Sequence, residues 1–232
     1  MNSIVSWSGG KDSCLAFLKA QKAGHKVKAI LTAMNENGTF SKSNGVPIKI
    51  IEKQSEALRL PIIKFNTSWE SYGKDLLEAL IHAKDKFSVK YCIFGDIDIQ
   101  NHRDFEERIS VQANLKAVLP LWGMHRVFVA RDIISFGIKS KISVIRENLP
   151  DEILGAEFDY NLLEKLERLK IDICGENGEF HTVVYDTPSF TRHKFFLKRK
   201  KNHTLDRAKL IEFSAIMTRK CYRLRKTCTI SH

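Results

Sequence analysis

Five short apolar runs in the first 125 residues alternate with segments whose apolar residues recur at helical spacing, and this alternation restricts the fold more than any other feature. The runs are Ile4–Trp7, Val27–Ala33, Pro61–Phe65, Val89–Gly95 and Ala117–Leu119. Helices are expected at Asp12–Ala23, Pro47–Leu60, Ser71–Lys86 and Asp104–Asn114. Strands separated by whole helices pair in parallel, because the crossover leaves no room for a hairpin. The expected fold is α/β, a doubly wound parallel five-stranded sheet covered on both faces. Ligands of such sheets sit beyond the carboxyl ends of the strands. The loops after Trp7, Ala33, Gly95 and Leu119 should therefore face one site.

Past Trp122 the rhythm changes. Helices are expected at Arg126–Phe136 and Tyr160–Lys170, with strands at Ser140–Arg146 and Val183–Tyr185. This pattern suits a smaller α+β C-terminal domain. The expected division is a nucleotide-binding domain at 1–124, a substrate-binding domain at 125–190 and a basic tail at 191–232. The tail carries the whole charge excess: 13 Lys and Arg against 2 Asp and Glu, while residues 1–190 hold 25 of each sign. The net charge of +11 thus describes the tail and not the body. Leu205–Met217 is compatible with a short amphipathic helix between two basic runs, Lys198–Lys201 and Arg219–Lys226. The tail reads as an attachment to RNA or an anionic surface, or as an aberrant terminus such as a frameshift product. Nucleic acid would be bound through it alone. No apolar stretch is long enough to span a membrane, and no basic–apolar leader opens the chain, so the cytoplasm is the expected compartment. Five cysteines without a CxxC pair make a poor disulfide framework and a poor zinc site.

Ser8-Gly9-Gly10-Lys11-Asp12-Ser13 lies between the first strand and the first helix. Two glycines let the backbone turn tightly and approach an anion. Successive N–H groups and the helix N-terminus offer positive charge to a phosphate, and Lys11 adds a full charge. A Walker loop would need Gly at Val5 and Ser or Thr at Asp12, so this is a different phosphate loop.

The run resembles the SGGxDS signature of PP-loop ATP pyrophosphatases, which cleave ATP between its α- and β-phosphates. Gly95-Asp96-Ile97, Arg103, Glu107, Pro120-Leu121-Trp122 and Glu176–Thr182 further resemble the diphthine–ammonia ligase-like family (ATP-binding domain 4), over about residues 1–190. The resemblance implies an adenine nucleotide alpha hydrolase-like, Rossmann-like fold. It implies an ATP-dependent amide ligase that adenylylates a carboxylate and passes it to ammonia, using ATP and Mg2+. A homo-oligomer is left open. In the diphthamide branch the late motif reads Glu-Gly-Gly-Glu-Tyr/Phe-Glu-Thr, whereas here it reads Glu176-Asn177-Gly178-Glu179-Phe180-His181-Thr182. With Asp98 and His102 beside Arg103, the chain looks like a mainly bacterial branch linked to amide chemistry in cobalamin salvage. The expected substrate is accordingly a cobalamin-related carboxylate rather than diphthine.

Carried onto this sequence, the resemblance assigns nucleotide binding to Ser8, Gly9, Gly10, Lys11, Asp12, Ser13, Met34 and Gly95. Asp12 and Asp96 are the expected magnesium ligands, since paired carboxylates suit a hard cation. Asp12 capping the first helix is the competing reading. Met34 is expected near adenine, or else as core filler. The catalytic candidates are Lys11, Asp96, Glu176, Glu179 and His181. The substrate-binding candidates are His102, Arg103, Glu107, Asn177, Gly178 and Thr182, with a solvated ion pair as the competing reading of Arg103 and Glu107. Cys14 is expected to be a buried small residue. Two other functions fit the same loop: an RNA-modifying PP-loop enzyme holding tRNA through the tail, and a nonenzymatic ATP-binding protein.

Overall fold

The computed structural model describes residues 1–191, 193–205 and 208–219. Strands β1 (Asn2–Ser6), β2 (Lys26–Met34), β3 (Ile62–Asn66), β4 (Tyr91–Ile93) and β5 (Lys116–Val118) alternate with helices α1 (Lys11–Lys22), α2 (Ile48–Leu58), α3 (Tyr72–Phe87) and α4 (Gln100–Gln112). The strands form one parallel sheet in the order β3-β2-β1-β4-β5. The chain winds outward through β2 and β3, then returns to add β4 and β5 beyond β1. The expected doubly wound sheet is therefore present. Its switch point lies between β1 and β4, where the loops after both strands open a crevice.

Neighbouring residues on the inner strands face opposite layers. Ile4 and Leu31 pack with α3 and α4, through Leu76, Leu80 and Ile109. Val5 and Ile30 pack with α1 and α2, through Leu15, Phe17, Ile50 and Ile51. Burial on both faces explains why these strands read as continuous apolar runs and not as alternating ones. Helix α4 begins at Gln100, four residues before its expected start, so His102 and Arg103 stand on its first turn.

The second half builds on α5 (Arg126–Ser135), β6 (Lys139–Arg146), α6 (Tyr160–Arg168) and β7 (Phe180–Asp186). Two long strands follow, β8 (His193–Leu205) and β9 (Ala208–Arg219). They join β6 and β7 in an antiparallel sheet of order β7-β6-β9-β8. Of the amphipathic helix expected at Leu205–Met217, residues 208–217 thus lie on strand β9, and Leu205 ends β8. Ile211 and Phe213 are buried two residues apart, a period of two, and Ile and Phe favour strands. Both enter the same core cluster as α1, α2 and β7. The run Lys198–Lys201 lies on β8, while Lys220–Lys226 falls outside the described residues. Among the described residues, no helix is long and apolar enough to cross a membrane.

Candidate active site

The Ser8–Ser13 loop leaves β1 and opens α1 without a side-chain cap from its own N-cap, Gly10. Gly9 has φ of 85°, the left-handed region, and a Cβ there would lie 2.6 Å from Ile51 Cδ1. Gly95 lets the end of β4 press against this turn: a Cβ would sit 3.0 Å from the Asp12 carbonyl carbon and the Ser13 nitrogen. The Ser8 and Ser13 hydroxyls lie 3.2 Å apart.

The second sheet holds the loop in place. The Lys11 N–H donates to Thr182 Oγ1 at 3.1 Å, and the Val184 N–H donates to the Gly9 carbonyl at 2.9 Å. Gln54, fully buried on α2, donates from Nε2 to the Gly9 carbonyl (3.1 Å) and the Val184 carbonyl (2.7 Å). Its Oε1 accepts from Trp7 Nε1 at 2.7 Å. Gln54 escaped the sequence reading, although a polar residue inside the apolar stripe Ile50, Ile51, Ala57 and Leu58 was its visible mark.

Lys11 is 3% exposed and reaches inward. Its Nζ donates to Asp12 Oδ2 at 2.7 Å and to the Cys174 carbonyl at 2.6 Å, and it lies 5.4 Å from the Phe180 ring centroid. Burial works against this charge, but Asp12 and Glu176 outweigh it and hold the pKa above its ordinary value. Asp12 is pushed up by burial and pulled back by Lys11. Its Oδ1 is buried without a hydrogen-bond partner. Asp12 is therefore a helical residue aimed into the site and not the helix cap, which is Gly10.

Across the switch point stands Asp96. Its Oδ1 accepts from His102 Nδ1 at 2.7 Å. Burial opposes the Asp96 charge, yet hydrogen bonds from His102 and Glu106 keep its pKa below the ordinary value. That hydrogen bond raises His102 in turn. Glu106, one position before the expected Glu107, is buried, and burial together with the nearby Asp96 charge pushes it up to about 11. It is a neutral acid beside the Asp96 carboxylate.

These residues line one cleft of about 490 Å³, with Ser8, Lys11, Asp12, Ser13, Gly95, Asp96, His102, Glu106, Glu176, Gly178, His181 and Thr182 among its walls. Other expected site residues stand elsewhere. Arg103 pairs with Glu107 at 2.7 Å on the exposed side of α4 and lies 5.0 Å from the Trp122 ring centroid. Neither Arg103 nor Glu107 lines the cleft. Met34 is buried, and its carbonyl accepts the Thr67 N–H at 3.1 Å. Glu179 turns back on its own loop, accepting from the Asn177 N–H (3.0 Å) and Nδ2 (3.1 Å). Cys14 is fully buried, and burial pushes its thiol up to about 12, which suits packing and not chemistry.

Glu176 and His181 have shifted in opposite directions for the same reason. Burial raises Glu176 to about 8, with Asp12 adding repulsion and Lys11 opposing it. Burial lowers His181 to about 4, helped by Lys11, so the imidazole is neutral near pH 7.

Arg126 ties the two sides together. Its guanidinium donates to Asp98 from Nε (2.7 Å) and Nη2 (2.8 Å), and from Nη1 to Asp172 Oδ2 at 2.7 Å. Asp172 then accepts the Cys174 N–H at 3.2 Å and the Glu176 N–H at 2.7 Å. Arg126→Ala would leave Asp172, whose side chain is 10% exposed, without its cation. Loss of these charged hydrogen bonds should destabilise the fold by about 2–3 kcal/mol in urea unfolding. Because the clamp holds the Glu176 loop and not the Ser8–Ser13 loop, amide hydrogen exchange should quicken over residues 172–178 and stay unchanged over 8–13. Equal quickening in both would show that the clamp does not act on the Glu176 loop.

Residues 1–117 match the family model described as the diphthamide synthase N-terminal domain, and residues 127–210 match that of the diphthamide synthase C-terminal domain. The similarity thus runs about twenty residues beyond Phe190, where the sequence motifs fade, and reaches into β9. The diphthine–ammonia ligase of Homo sapiens is 29% identical over 210 residues, covering 80% of this chain and 79% of its own. That of Danio rerio is 28% identical over 210 residues, covering 80% and 82%. Among solved structures, a predicted subunit of tRNA methyltransferase from Methanocaldococcus jannaschii aligns with TM-score 0.45 and 15% identity, over 81% of this chain and 98% of that one. With both domain models matched in order, the chain belongs to the diphthine–ammonia ligase family of ATP-dependent carbon–nitrogen ligases.

Proposed function

We propose that this protein adenylylates a carboxylate at the Ser8–Ser13 loop, releasing pyrophosphate, and passes the acyl group to ammonia with release of AMP. The observation that carries this reading is the single cleft that joins the phosphate loop, Asp12 and Asp96 to Glu176 and His181. The loop's N–H groups and the α1 N-terminus suit phosphate oxygens, and Lys11 balances their charge. Residues 1–124 would bind nucleotide, and the β6–β7 side would supply the acceptor half of the cleft.

The donor set fits Mg2+. Among the described residues no cluster of three or more His, Cys, Asp or Glu forms a metal site by itself. The partnerless Asp12 Oδ1 and the ionised Asp96 suit a hard cation that draws its remaining ligands from phosphate oxygens. A magnesium ion there would neutralise triphosphate charge as the α–β anhydride breaks.

Glu176 suits removal of a proton from ammonium, because its pKa of about 8 lets it accept and release one near neutrality. His181, neutral in the cleft, serves as a hydrogen-bond partner for the acyl group. The similarity of the relatives favours diphthine as the carboxylate. A second reading, a cobalamin-related carboxylate, is favoured by His181, which replaces a Glu of the diphthamide pattern and lines the cleft. Asn177, the other departure, is turned towards Glu179.

The test is an assay with ATP labelled at the α-phosphate, Mg2+ and ammonium, supplied in parallel with a diphthine-bearing protein and with corrinoid carboxylates. AMP and pyrophosphate should form with one of them. Formation of ADP alone would refute the adenylylation step.

A further inference from the structure

The buried Gln54 amide makes three hydrogen bonds, and all of them end on the phosphate loop or on its frame. The Trp7 indole N–H can only donate, so Oε1 must face it and Nε2 must face the Gly9 and Val184 carbonyls. The amide therefore has one orientation. The Gly9 carbonyl also accepts the Val184 N–H at 2.9 Å, so α2 and β7 hold the same oxygen. That oxygen belongs to the Gly9–Gly10 peptide. With no side chain on either residue, this peptide meets little steric resistance to a flip, and its restraint comes from outside the loop.

We infer that Gln54 is a positioning residue that locks the Gly9–Gly10 peptide with its carbonyl turned away from the bound phosphates and its N–H turned towards them. The inference rests on the ATP-ligase reading and adds to it what sets the loop for an anion before one arrives. In a trans peptide the C=O and N–H point to opposite sides. With the carbonyl directed to α2 and β7, the Gly10 N–H is directed to the Ser8 hydroxyl, 3.3 Å away on the cleft wall. That contact is long, and a charged phosphate oxygen is the stronger acceptor. The next N–H, of Lys11, is already given to Thr182 Oγ1 at 3.1 Å, which leaves Gly10 to supply the donor at this point of the turn. A flipped peptide would instead present its carbonyl oxygen to the triphosphate. The flip would also take from Gln54 Nε2 one of its two acceptors inside the core, a loss that opposes it.

The test is calorimetric titration of the full chain with inorganic tripolyphosphate and, separately, with ATP, both with Mg2+. Gln54→Met, of similar length but without donors, should bind both ligands at least about ten-fold more weakly, in keeping with the loss of one hydrogen bond to a charged group. Leu80→Ala, a core change on the opposite face of the sheet and outside the cleft, should lower stability to urea yet keep both affinities within about two-fold. A second measurement needs no variant. In the amide NMR spectrum of the unaltered protein, tripolyphosphate should move the Gly10 proton downfield and leave the Lys11 proton nearly in place. Unchanged affinity in Gln54→Met would overturn the inference and leave the ligase reading intact. So would equal weakening in Leu80→Ala, which would trace the effect to general stability, or a Gly10 proton that stays still while ligand binds. Failure of the unaltered protein to bind either ligand would overturn both readings.

Discussion

Lys11→Met is expected to abolish AMP formation, lowering turnover at least about 10³-fold, and to destabilise the fold by about 3–5 kcal/mol. Lys11 is a buried cation held by Asp12 Oδ2 at 2.7 Å and the Cys174 carbonyl at 2.6 Å. Methionine can fill the space between the Phe158 and Phe180 rings, 5.6 and 5.4 Å from Nζ, so lost volume is a small part of the effect. The larger part is electrostatic. Asp12 loses the one contact that lowers its pKa through a full charge, and Glu176 loses its opposing cation. Both carboxyls would then sit more protonated, and the loop would have no fixed charge to offer a triphosphate. Urea unfolding measures the first effect, and AMP release from α-labelled ATP measures the second. Turnover within ten-fold of the unaltered protein would remove Lys11 from the reaction.

The strand–helix alternation made the first domain legible because each strand is buried on both faces, so its apolar run is unbroken and its neighbours are whole helices. The Ser8–Ser13 loop was legible for a local reason: a strand, a glycine turn and a helix start are all written in one stretch of chain. What was missed depends on packing across the chain. Glu106 and Glu107 are adjacent in sequence, and only the rotation of α4 places the first beside Asp96 and the second in solvent. The Arg126 clamp joins residues 28 and 46 positions apart, a link that no local pattern announces. In sequence the β9 strand reads equally as a helix, because Ala208, Ile211, Ala215 and Ile216, with Leu205 before them, also satisfy helical spacing. Pairing with β6 at Val144–Arg146 settles that ambiguity.

Glu176 gives the second large prediction, in which stability and activity move in opposite directions with pH. Its folded pKa, about 8, stands above its ordinary 4.5, mainly through burial. A carboxyl raised in this way favours the fold fully below the unfolded value, and that contribution is lost as pH rises through the folded one. Between roughly pH 4.5 and 8 the unfolded chain is ionised at Glu176 while the folded chain still holds the proton, so stability should fall across that window and level off above it. The drop attributable to this group is on the order of 3–5 kcal/mol, at ~1.4 kcal/mol per pKa unit. Glu176→Gln, neutral at every pH, should remove most of the decline and be the more stable protein at pH 9. In the proposed reaction activity requires the opposite state, because only the ionised carboxylate accepts a proton from ammonium. The rate should therefore climb through about pH 8 in the unaltered protein, and Glu176→Gln should lose at least about 10²-fold along with that rising limb. A variant that gained stability at alkaline pH while keeping its rate profile would show Glu176 to be buried for structure alone. The proton would then have to leave through another group of the cleft.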